Sequence, residues 1–593
     1  MKLSDYVMHF LVEKGVKHVF MLPGGGAMHL VDSLGSCQGL DYTCFLHEQA
    51  LAIAAEAYGQ FTNFPGVGLV TSGPGGTNAI TGLTAAYQDS TPCLFLSGQA
   101  KRQDLKGASG VRQMGSQEVD IVAMITPVTK YAVTVLDPAS VRYHLERAWH
   151  EATTGRLGPV WLDIPLDVQA AEIDPPSLEG FTPEPAQGTA PDRIDEVIEL
   201  LKASRRPLIL AGNGVKLAGA QADLTRFAEA HQIPVLLTWK SIEFLDADHP
   251  LNFGCPGIMG CRTANFMVQN CDLLLVLGSR LDPSLTAFKP EDFGRQARKV
   301  MVDVDEAEIR KIPSIDLPIV ADAGAFLRRL AAGCADPMPP RPSWLAYGRH
   351  LKEKYPVVLE EYRQQEGRIN LYVFTEQLFE QLTPEDIITP ESSGAAGEVT
   401  YQAMRIKAGQ RVHNAAALGA MGFGLPYAIG ACIATGRRRT ILINGDGAFQ
   451  LNIQELQTIA RLGLPIKMFI LENDGYASIK AMQTNHFQGR FVASHTGSGL
   501  TMPDLGAIAR AYGLRVEMAS SHEELPGAIT RTLAGDDPVL CRILVTEQHV
   551  TAPRVQAMKT ADGGMVSKPL EDMWPYLPAV ELAGNRFQET THP

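Results

Sequence analysis

The feature that most constrains the fold of this chain is a repeated alternation of short apolar runs with longer stretches of helical character. The apolar runs occupy residues 67–70, 160–164, 208–211, 273–277, 300–304, 440–443 and 466–471. Continuous apolar strands that alternate with helices are typical of parallel sheets covered by helices on both faces. The sequence therefore predicts an α/β protein built from doubly wound parallel sheets.

Two proline-rich stretches, residues 174–191 and 337–342, divide these elements into three groups. Proline-rich composition favours extended connectors, and a chain of 593 residues is too long for a single hydrophobic core. We therefore expect an N-terminal domain, a central domain, a C-terminal domain and a C-terminal tail, over residues 1–173, 190–333, 360–550 and 551–593 respectively.

The composition excludes several classes of protein. A formal net charge of −13 argues against nucleic-acid binding, which needs concentrated Lys and Arg. The chain contains no apolar run of about 18 residues that would predict a transmembrane helix, and no signal peptide is apparent. The nine cysteines form no C-x-x-C pair, which predicts neither a zinc site nor a disulfide framework. We expect a cytoplasmic protein with free thiols that binds neither nucleic acid nor membrane.

A glycine-rich turn with an aspartate follows the apolar run at 440–443. Gly445, Asp446 and Gly447 lie in this turn, while Asn473 and Gly475 lie directly after the run at 466–471. Open α/β sheets bind ligands at the carboxyl ends of their strands, so we expect the two groups to meet at one edge. A carboxylate, an amide oxygen and a backbone carbonyl suit Mg²⁺, and the glycines let the backbone approach a diphosphate.

The segment between these two groups predicts a single helical crossover. Asn452, with Glu455 three residues later, matches a helix-start pattern in which both side chains cap the helix. Gly463 then predicts the end of that helix.

The N-terminal segment carries a second group of polar and glycine residues. Glu48 begins an alanine-rich stretch that is predicted to be helical to about Tyr58. Glycine-rich segments at 22–27 and 71–78 each follow a strand-like run, so three strand ends should converge on one edge. A lone Glu at a helix start is more often a carboxylate favoured by the helix dipole. Its glycine-rich surroundings favour a functional role here.

Together these segments resemble the acetolactate (acetohydroxyacid) synthase and pyruvate oxidase family of thiamine-diphosphate enzymes, over about residues 1–575. Residues 553–555 and 562–575 of the tail resemble acetolactate-synthase-like proteins of nucleotide-sugar and surface-polysaccharide pathways. The resemblance implies an N-terminal domain that binds the cofactor's pyrimidine, a central FAD-type domain and a C-terminal domain that binds the diphosphate. Two subunits share each site in this family, which implies a homodimer or a dimer of dimers.

The resemblance also implies roles for individual residues. Glu48, Gly25 and Gln117 are expected to be catalytic, with Glu48 protonating the pyrimidine ring at N1′, and Asp446, Asn473 and Gly475 are expected to bind Mg²⁺. The residues implied to contact cofactors are Ser392, Ser393, Gly419, Met421, Gly445, Gly447, Ala448 and Tyr476 for thiamine diphosphate, and Arg280 for FAD. Some relatives bind FAD and others have lost it, so both states remain open.

Three positions depart from the synthase pattern, all on the acceptor side of the substrate pocket. Ser284 stands where the family has an arginine that grips the second keto acid, Met482 replaces a tryptophan, and Ser116 replaces a phenylalanine. Serine cannot supply the paired hydrogen bonds that arginine gives a carboxylate. Gln117 and Lys130 are retained, which predicts a preserved donor side.

We therefore expect a carboligase that uses thiamine diphosphate and Mg²⁺ to decarboxylate a 2-keto acid, with pyruvate as the donor. It would transfer the acyl-aldehyde unit to a carbonyl acceptor such as a keto-sugar. Acetolactate synthase itself stays open, since Lys289 offers a nearby cation for a second pyruvate, and so does a decarboxylase or lyase with the same cofactor. A non-catalytic regulatory subunit or nucleotide-binding module is disfavoured, because neither needs Glu48 together with Asp446 and Asn473.

Overall fold

Three parallel sheets, each covered by helices, make up most of the protein, which confirms the predicted α/β class. The structure, a computed structural model, describes residues 1–184, 193–334, 336–547, 550–559 and 564–588. Residues 185–192, which include the end of the first proline-rich stretch, lie outside the described residues, as do residues 560–563 and 589–593 of the tail.

Six strands form the N-terminal sheet: β1 (His18–Met21), β2 (Asp41–Cys44), β3 (Gly66–Val70), β4 (Cys93–Gln99), β5 (Tyr131–Thr134) and β6 (Pro159–Pro165). They are parallel and lie in the order β2-β1-β3-β4-β6-β5. The helices of this domain are α1 (Leu3–Glu13), α2 (Met28–Ser36), α3 (Glu48–Thr62), α4 (Pro74–Gln88), α5 (Ile121–Ile125), α6 (Val141–Thr153) and α7 (Leu166–Gln169).

Five strands form the central sheet: β7 (Pro207–Ala211), β8 (Val235–Leu237), β9 (Leu273–Leu277), β10 (Arg298–Asp303) and β11 (Leu317–Val320). They are parallel, in the order β11-β10-β9-β7-β8. The helices are α8 (Ile194–Ala203), α9 (Asn213–Leu217), α10 (Gln221–His231), α11 (Arg262–Asn270), α12 (Pro283–Thr286), α13 (Glu306–Arg310), α14 (Ala323–Gly333) and α15 (Pro342–Lys354).

Six strands form the C-terminal sheet: β12 (Ile387–Pro390), β13 (Arg411–Val412), β14 (Thr440–Gly445), β15 (Ile466–Glu472), β16 (Arg515–Ala519) and β17 (Val539–Leu544). They are parallel, in the order β13-β12-β14-β15-β17-β16. The helices are α16 (Glu360–Arg363), α17 (Leu371–Gln381), α18 (Gly394–Ala403), α19 (Gly424–Ala434), α20 (Asp446–Phe449), α21 (Leu456–Leu462), α22 (Ala477–Phe487), α23 (Leu505–Ala511) and α24 (Leu525–Leu533).

Helices α3 and α19 pack against each other and join the N-terminal and C-terminal domains. Small residues allow this close contact: a Cβ at Gly430 of α19 would overlap the Ala54 carbonyl of α3. On its other side α3 packs on α4, where a Cβ at Gly82 would lie 2.6 Å from the Ala52 Cβ. Because α3 is held on both sides, the position of Glu48 at its first turn is fixed by packing.

The predicted helix cap formed by Asn452 and Glu455 is wrong. Both residues lie in a 3₁₀ segment that is kinked at Asn452 (φ −138°), and α21 begins one residue after Glu455. The Asn452 amide donates to Gln49 Oε1 (3.1 Å), and Glu455 Oε1 accepts the Leu46 N–H (3.1 Å). These side chains bind the N-terminal domain instead of capping a helix. The predicted helix end is confirmed, with Gly463 in the left-handed conformation.

The described part of the tail contains two antiparallel strands, β18 (Ala557–Lys559) and β19 (Met565–Ser567), and the short helix α25 (Ala579–Gly584). It lies against the central domain. Asn265 Nδ2 of α11 donates to the Leu570 carbonyl (2.9 Å). Leu570 and Met573 enter the same apolar core as Trp344 of α15. The tail and α15 therefore complete the core of the central domain.

All nine cysteines are free thiols. Among the residues that the structure describes, no helix combines the length and the apolar character that crossing a membrane requires.

Candidate active site

Asp446 lies at the carboxyl end of β14 and links it to the end of the neighbouring strand β15. Its side chain is 2% exposed. Oδ2 accepts the N–H groups of Asn473 (3.1 Å), Asp474 (3.0 Å) and Gly475 (3.3 Å), and Oδ1 accepts the Gly447 N–H (2.8 Å). Burial raises the pKa of the Asp446 carboxyl to about 6, and these N–H groups oppose the shift. The two predicted groups therefore meet at one edge.

The side-chain oxygen Oδ1 of Asn473 is buried at this edge and has no hydrogen-bond partner within the described ranges. A buried polar atom left in this state costs about 1–3 kcal/mol. Gly475, which follows, has φ +110°, and a Cβ there would lie 2.7 Å from the Ser494 carbonyl oxygen, so glycine is required. A carboxylate, an unpartnered amide oxygen and an adjacent backbone carbonyl together fit a hard, oxygen-preferring cation.

The glycine turn after β14 packs closely against the aromatic ring that follows β15. A Cβ at Gly447 would lie 2.6 Å from Tyr476 Cδ1, whereas a Cβ at Gly445 would meet no atom within 4 Å. Ala448 lies in the short helix α20 that begins at Asp446. The turn therefore leaves open space beside Gly445 while Gly447 allows contact with the ring.

A second group of predicted cofactor residues lies at the end of β12, the strand next to β14. Ser392 and Ser393 precede helix α18, and Ser392 Oγ accepts the Ala415 N–H (3.2 Å). A Cβ at Gly419 (φ +62°) would lie 3.9 Å from the Ser392 carbonyl oxygen and 4.0 Å from Ser393 Cβ. Met421 follows in the turn before α19 and is 40% exposed, so it does not fill the core of this chain. The structure thus brings Ser392, Ser393 and Gly419 together, and Met421 lies two residues beyond Gly419 in the chain.

Glu48 begins α3 at the carboxyl edge of the N-terminal sheet and is almost fully buried. Its Oε2 accepts a hydrogen bond from Asn78 Nδ2 (2.9 Å). The His47 ring caps the helix by accepting the Gln49 N–H (3.1 Å). Helix α3 extends to Thr62, four residues beyond the predicted end.

Gly25 and Gln117 lie at the same edge as Glu48. The turn that contains Gly25 is attached to the end of β3 by a hydrogen bond from the Gly26 N–H to Thr71 Oγ1 (3.1 Å). Gln117 has φ +56°, and its carbonyl oxygen would lie 2.6 Å from a Cβ at Gly73. A Cβ at Gly25 would meet no atom within 4 Å. Both residues therefore border open space.

The Glu48 edge of the N-terminal sheet and the Asp446 edge of the C-terminal sheet are not linked through these two carboxylates. In the ranges that the structure describes, no hydrogen bond or ion pair links Glu48 to the loop that contains Asp446. Within the chain the domains are instead tied by α3 and α19 and by the contacts of Asn452 and Glu455.

Lys130 does not belong with Gln117, contrary to the predicted donor side. It precedes β5, and its N–H donates to the Pro159 carbonyl at the start of β6, so it lies at the amino edge of the sheet. Its ammonium donates to the carbonyls of Glu151 and Thr154, the latter at 2.8 Å. The prediction that Lys130 lies on the donor side is therefore wrong, because Lys130 lies at the start of β5 and the donor side at the opposite edge of the sheet.

The three acceptor-side positions are exposed. Ser284 is exposed on the wall of a cavity of about 880 Å³ beside the central sheet, and its N–H donates to Asp282 Oδ1 (2.9 Å). Met482 is 52% exposed on α22, and Ser116 is exposed in the loop beside Gln117.

Arg280 lines the same cavity of about 880 Å³, at the carboxyl edge of the central sheet. Its guanidinium donates to the Gln88 carbonyl of the N-terminal domain (3.1 Å). The glycine turns after β7 and β9 form part of the wall, and the buried Asn213 Oδ1 beside them has no partner within the described part of the chain. Close glycine turns and an arginine at strand ends suit a ligand that carries phosphate groups.

Sequence analysis missed a buried charged cluster where the three domains meet. Lys216 of α9 is buried and donates to the Gln60 carbonyl of α3 and to His413 Nε2 (2.6 Å). Glu243 Oε1 lies 3.2 Å from His413 Nε2 and accepts from Arg411 Nε (2.8 Å). Burial lowers the pKa of both Lys216 and His413. The one local signal is a lysine within an otherwise apolar, glycine-bounded segment.

The chain matches the sequence models of three domain families over most of its length. These are the thiamine pyrophosphate enzyme N-terminal TPP binding domain (residues 1–124), central domain (194–330) and C-terminal TPP binding domain (393–543).

Similar proteins match the chain nearly from end to end. The acetolactate synthase large subunit of Lactococcus lactis is 30% identical, over 93% of this chain and 94% of its own. The probable acetolactate synthase large subunit of Methanocaldococcus jannaschii is 33% identical, over 92% of each chain, and the isozyme 2 large subunit of Escherichia coli is 31% identical, over 93% and 97%. The chain therefore belongs to the thiamine pyrophosphate (thiamine diphosphate) enzymes and is an acetolactate-synthase-like enzyme of carboligase type.

Proposed function

We propose that this enzyme binds thiamine diphosphate through Mg²⁺, decarboxylates a 2-keto acid and joins the remaining aldehyde unit to a carbonyl acceptor. The observation that carries the proposal is the unpartnered, buried Asn473 Oδ1 beside the Asp446 carboxylate, at the ends of two adjacent strands. Asp446, Asn473 and the Gly475 carbonyl bind the cation. Oxygen ligands of this kind favour Mg²⁺ over the transition metals.

We assign the cofactor contacts to two groups of residues at the carboxyl edge of the C-terminal sheet, one at the end of β14 and one at the end of β12. Ser392, Ser393, Gly445, Gly447 and Ala448 contact the diphosphate, while Gly419, Met421 and Tyr476 contact the organic part of the cofactor. The N-terminal turns of α18 and α20 lie at this edge and offer backbone N–H groups to an anion. When bound, thiamine diphosphate supplies an acidic ring carbon that adds to the keto group and stabilises the negative charge left when CO₂ departs.

Glu48 holds the proton that is shared with the pyrimidine nitrogen N1′. Asn78 donates to Oε2, so Oε1 is the oxygen left to carry this proton. Because Asn78 fixes the carboxyl orientation, proton transfer needs no side-chain rearrangement. Gly25 and Gln117 border the space beside Glu48 and contact the 2-keto acid donor.

The acceptor pocket favours a neutral carbonyl compound larger than pyruvate. Ser284 offers no positive charge for a carboxylate, and Met482 and Ser116 replace two aromatic walls with a flexible and a small side chain. We infer pyruvate as the donor and a keto-sugar, of the kind carried on a nucleotide, as the acceptor.

Acetolactate synthase itself is the second candidate. The similar proteins favour it, since those of Lactococcus lactis and Escherichia coli are acetolactate synthase large subunits and that of Methanocaldococcus jannaschii is a probable one. The two candidate functions can be separated by offering the enzyme labelled pyruvate, alone and together with 2-keto acids, aldehydes and keto-sugars. The products are then identified by mass spectrometry. We expect cofactor-dependent CO₂ release and ligation mainly to the larger neutral acceptors. Acetolactate formed from pyruvate alone, faster than any other product, would assign the chain to the acetolactate synthases.

We also propose that the cavity beside the central sheet binds FAD, which the resemblance left open. A volume of about 880 Å³ lies within the range of cofactor sites. Arg280 would contact the phosphate or ribityl groups, and Asn213 Oδ1, which has no partner among the described residues, would accept a hydrogen bond from the flavin. Protein purified without added flavin, unfolded and scanned for flavin absorbance, tests this binding independently of catalysis.

The protein acts as a homodimer, or as a dimer of dimers, in which each cofactor lies between the Glu48 edge of one copy and the Asp446 edge of the other. Large apolar side chains are exposed near both edges, namely Met28, Leu46, Met421 and Leu451. Exposed apolar groups of this size favour burial against a partner.

A further inference from the structure

Glu391, directly after β12, is a buried carboxylate outside the set of residues proposed to contact the cofactor. It is 1% exposed, and no ion pair of the described residues involves it. Its Oε1 accepts the Ser392 N–H (3.1 Å) and its Oε2 accepts the Gly424 N–H (3.1 Å), while the Asn444 side chain lies beside it. Burying a carboxylate without a cation is costly, so these contacts are its main compensation.

The two N–H groups belong to separate segments of the proposed cofactor site. Ser392 begins the pair of serines assigned to the diphosphate, and Gly424 begins α19, three residues after Met421. The backbone carbonyl of Glu391 also accepts from Asn414 Nδ2 (3.2 Å), in the loop that leads to Gly419. Glu391 is therefore the point at which the two segments are joined.

The start of helix α19, together with the Ser392 N–H just before α18, explains how a carboxylate is tolerated here. Helix α19 begins at Gly424, and α18 begins two residues after Ser392. The first N–H groups of a helix lack partners within it and carry partial positive charge. Burial raises the pKa of the Glu391 carboxyl to about 7, and the N–H groups of Ser392 and Gly424 and the side chain of Asn444 oppose the shift.

The opposite end of β12 offers a contrast. Asp386, directly before the strand, is equally buried but forms two hydrogen bonds with the Arg439 guanidinium, at 2.6 and 2.8 Å. Asp386 thus has a cation as its partner and stabilises the fold at the amino edge. Glu391 has backbone N–H groups of the two cofactor segments in place of a cation.

We propose that Glu391 is a positioning residue of the cofactor site: it sets the spacing between the Ser392–Ser393 segment and the Gly419–Met421 segment. The proposal rests on the cofactor orientation given under Proposed function. A ligand that spans both segments should depend on Glu391, whereas a ligand that touches only the diphosphate segment should depend on it weakly.

Glu391→Gln tests this inference, because it keeps the shape but turns one acceptor oxygen into a donor that faces a backbone N–H. With saturating Mg²⁺, we expect the Kd of thiamine diphosphate to rise about 10-fold or more, as for loss of a hydrogen bond to a charged group. The Kd of inorganic pyrophosphate, measured by competition, should change less than about 3-fold. At saturation the near-ultraviolet circular dichroism of bound cofactor should also change shape.

Asp386→Asn is the matched control, since it removes a buried carboxylate at the other end of the same strand. It should lower Tm without changing either Kd or the dichroism of the bound cofactor. Equal losses of both ligands, or unchanged affinity in Glu391→Gln, would overturn the inference. If the glutamine variant does not fold, Glu391→Asp can replace it, because aspartate keeps both acceptor oxygens but is shorter by one methylene group. The same two Kd values are then compared. Failure of wild-type protein to bind thiamine diphosphate would instead refute the proposed function.

Discussion

The N-terminal and C-terminal sheets share one strand order but carry different chemistry at the same edge. If the strands of each sheet are numbered from one to six along the chain, both sheets have the order 2-1-3-4-6-5. The helices that follow the second strand of each, α3 and α19, are the pair that packs together. At the third strand, β3 leads into a turn that begins at Thr71, whereas β14 leads into the buried Asp446. The two sheets therefore share one backbone topology, and a few residues at the strand ends give their edges different chemistry.

The comparison predicts that the C-terminal edge binds the cofactor. Asp446→Ala should abolish Mg²⁺-dependent retention of thiamine diphosphate, because no second carboxylate is available in the ligand set. Isothermal titration with and without EDTA measures the effect. Asp474→Asn is a suitable control, since the neighbouring Asp474 carboxylate faces Thr496 instead. Unchanged affinity in Asp446→Ala would remove Asp446 from the site.

The N-terminal edge, by contrast, should activate the cofactor without being needed to hold it. Glu48→Gln should bind thiamine diphosphate with Mg²⁺ yet exchange the reactive ring proton of bound cofactor more slowly, by about 10²–10⁴-fold. Quenched-flow NMR measures that exchange. Exchange at the wild-type rate would place the activating acid elsewhere, and loss of binding equal to that of Asp446→Ala would erase the contrast between the edges.

The central sheet, which has five strands where the other two have six, should set acceptor choice. Ser284→Arg would restore a cation for a carboxylate acceptor and raise pyruvate self-ligation relative to ligation with a neutral acceptor by about 10–150-fold. The product ratio from labelled pyruvate is the measurement. Ser284→Lys controls for charge without paired hydrogen bonds and should have a smaller effect. An unchanged ratio in both variants would show that this position does not face the acceptor.

Of the two packed helices, only α3 contains buried carboxylates, Glu48 and Glu56, and Glu56 should make the stability of the protein depend on pH. Glu56 of α3 is fully buried near Asp89, Lys240 and Lys216, whereas α19 contains no acidic or basic residue. Burial raises the pKa of the Glu56 carboxyl to about 8, with the Lys240 charge opposing. The folded protein therefore holds this proton more tightly than the unfolded chain does. Its stabilising contribution is present below the ordinary pKa of 4.5 and is lost as pH rises through about 8.

Glu56→Gln, which does not titrate, should avoid that loss. Relative to wild type, its free energy of unfolding should increase by about 1–3 kcal/mol between pH near 5 and pH near 9. Urea unfolding at several pH values gives this difference. Glu376→Gln, at a carboxylate paired with Arg363 on the surface, should show little change. A flat difference for Glu56→Gln would mean that Glu56 ionises as easily in the folded protein as in the unfolded chain.

Local patterns predicted the strands and the meeting of Asp446 with Asn473, because strand ends and glycine turns are set by neighbouring residues. Prediction failed where a side chain has a partner far away in sequence. Asn452 and Glu455 fit a helix cap, but contacts with the N-terminal domain took their place. Lys130 was the right residue type at the wrong edge of the sheet.

Two further groups carried little short-range pattern, and the one local signal was Lys216 in its apolar, glycine-bounded segment. Lys216, His413 and Glu243 come from segments more than 25 residues apart, and only the docking of the domains brings them together. Glu391 precedes the two serines that are predicted to contact phosphate, while its hydrogen-bond partner Gly424 is 33 residues away in the chain.

The central claim, that each site joins the Glu48 edge of one copy to the Asp446 edge of another, is tested by mixing two inactive variants. Glu48→Gln and Asp446→Ala subunits, co-expressed in equal amounts, should form heterodimers in which one site receives both mutations and the other receives neither. Random pairing then predicts about one quarter of wild-type, thiamine-diphosphate-dependent CO₂ release from pyruvate. If both edges of a site came from one chain, every site would carry one mutation, and activity no higher than that of the separate variants would contradict the account.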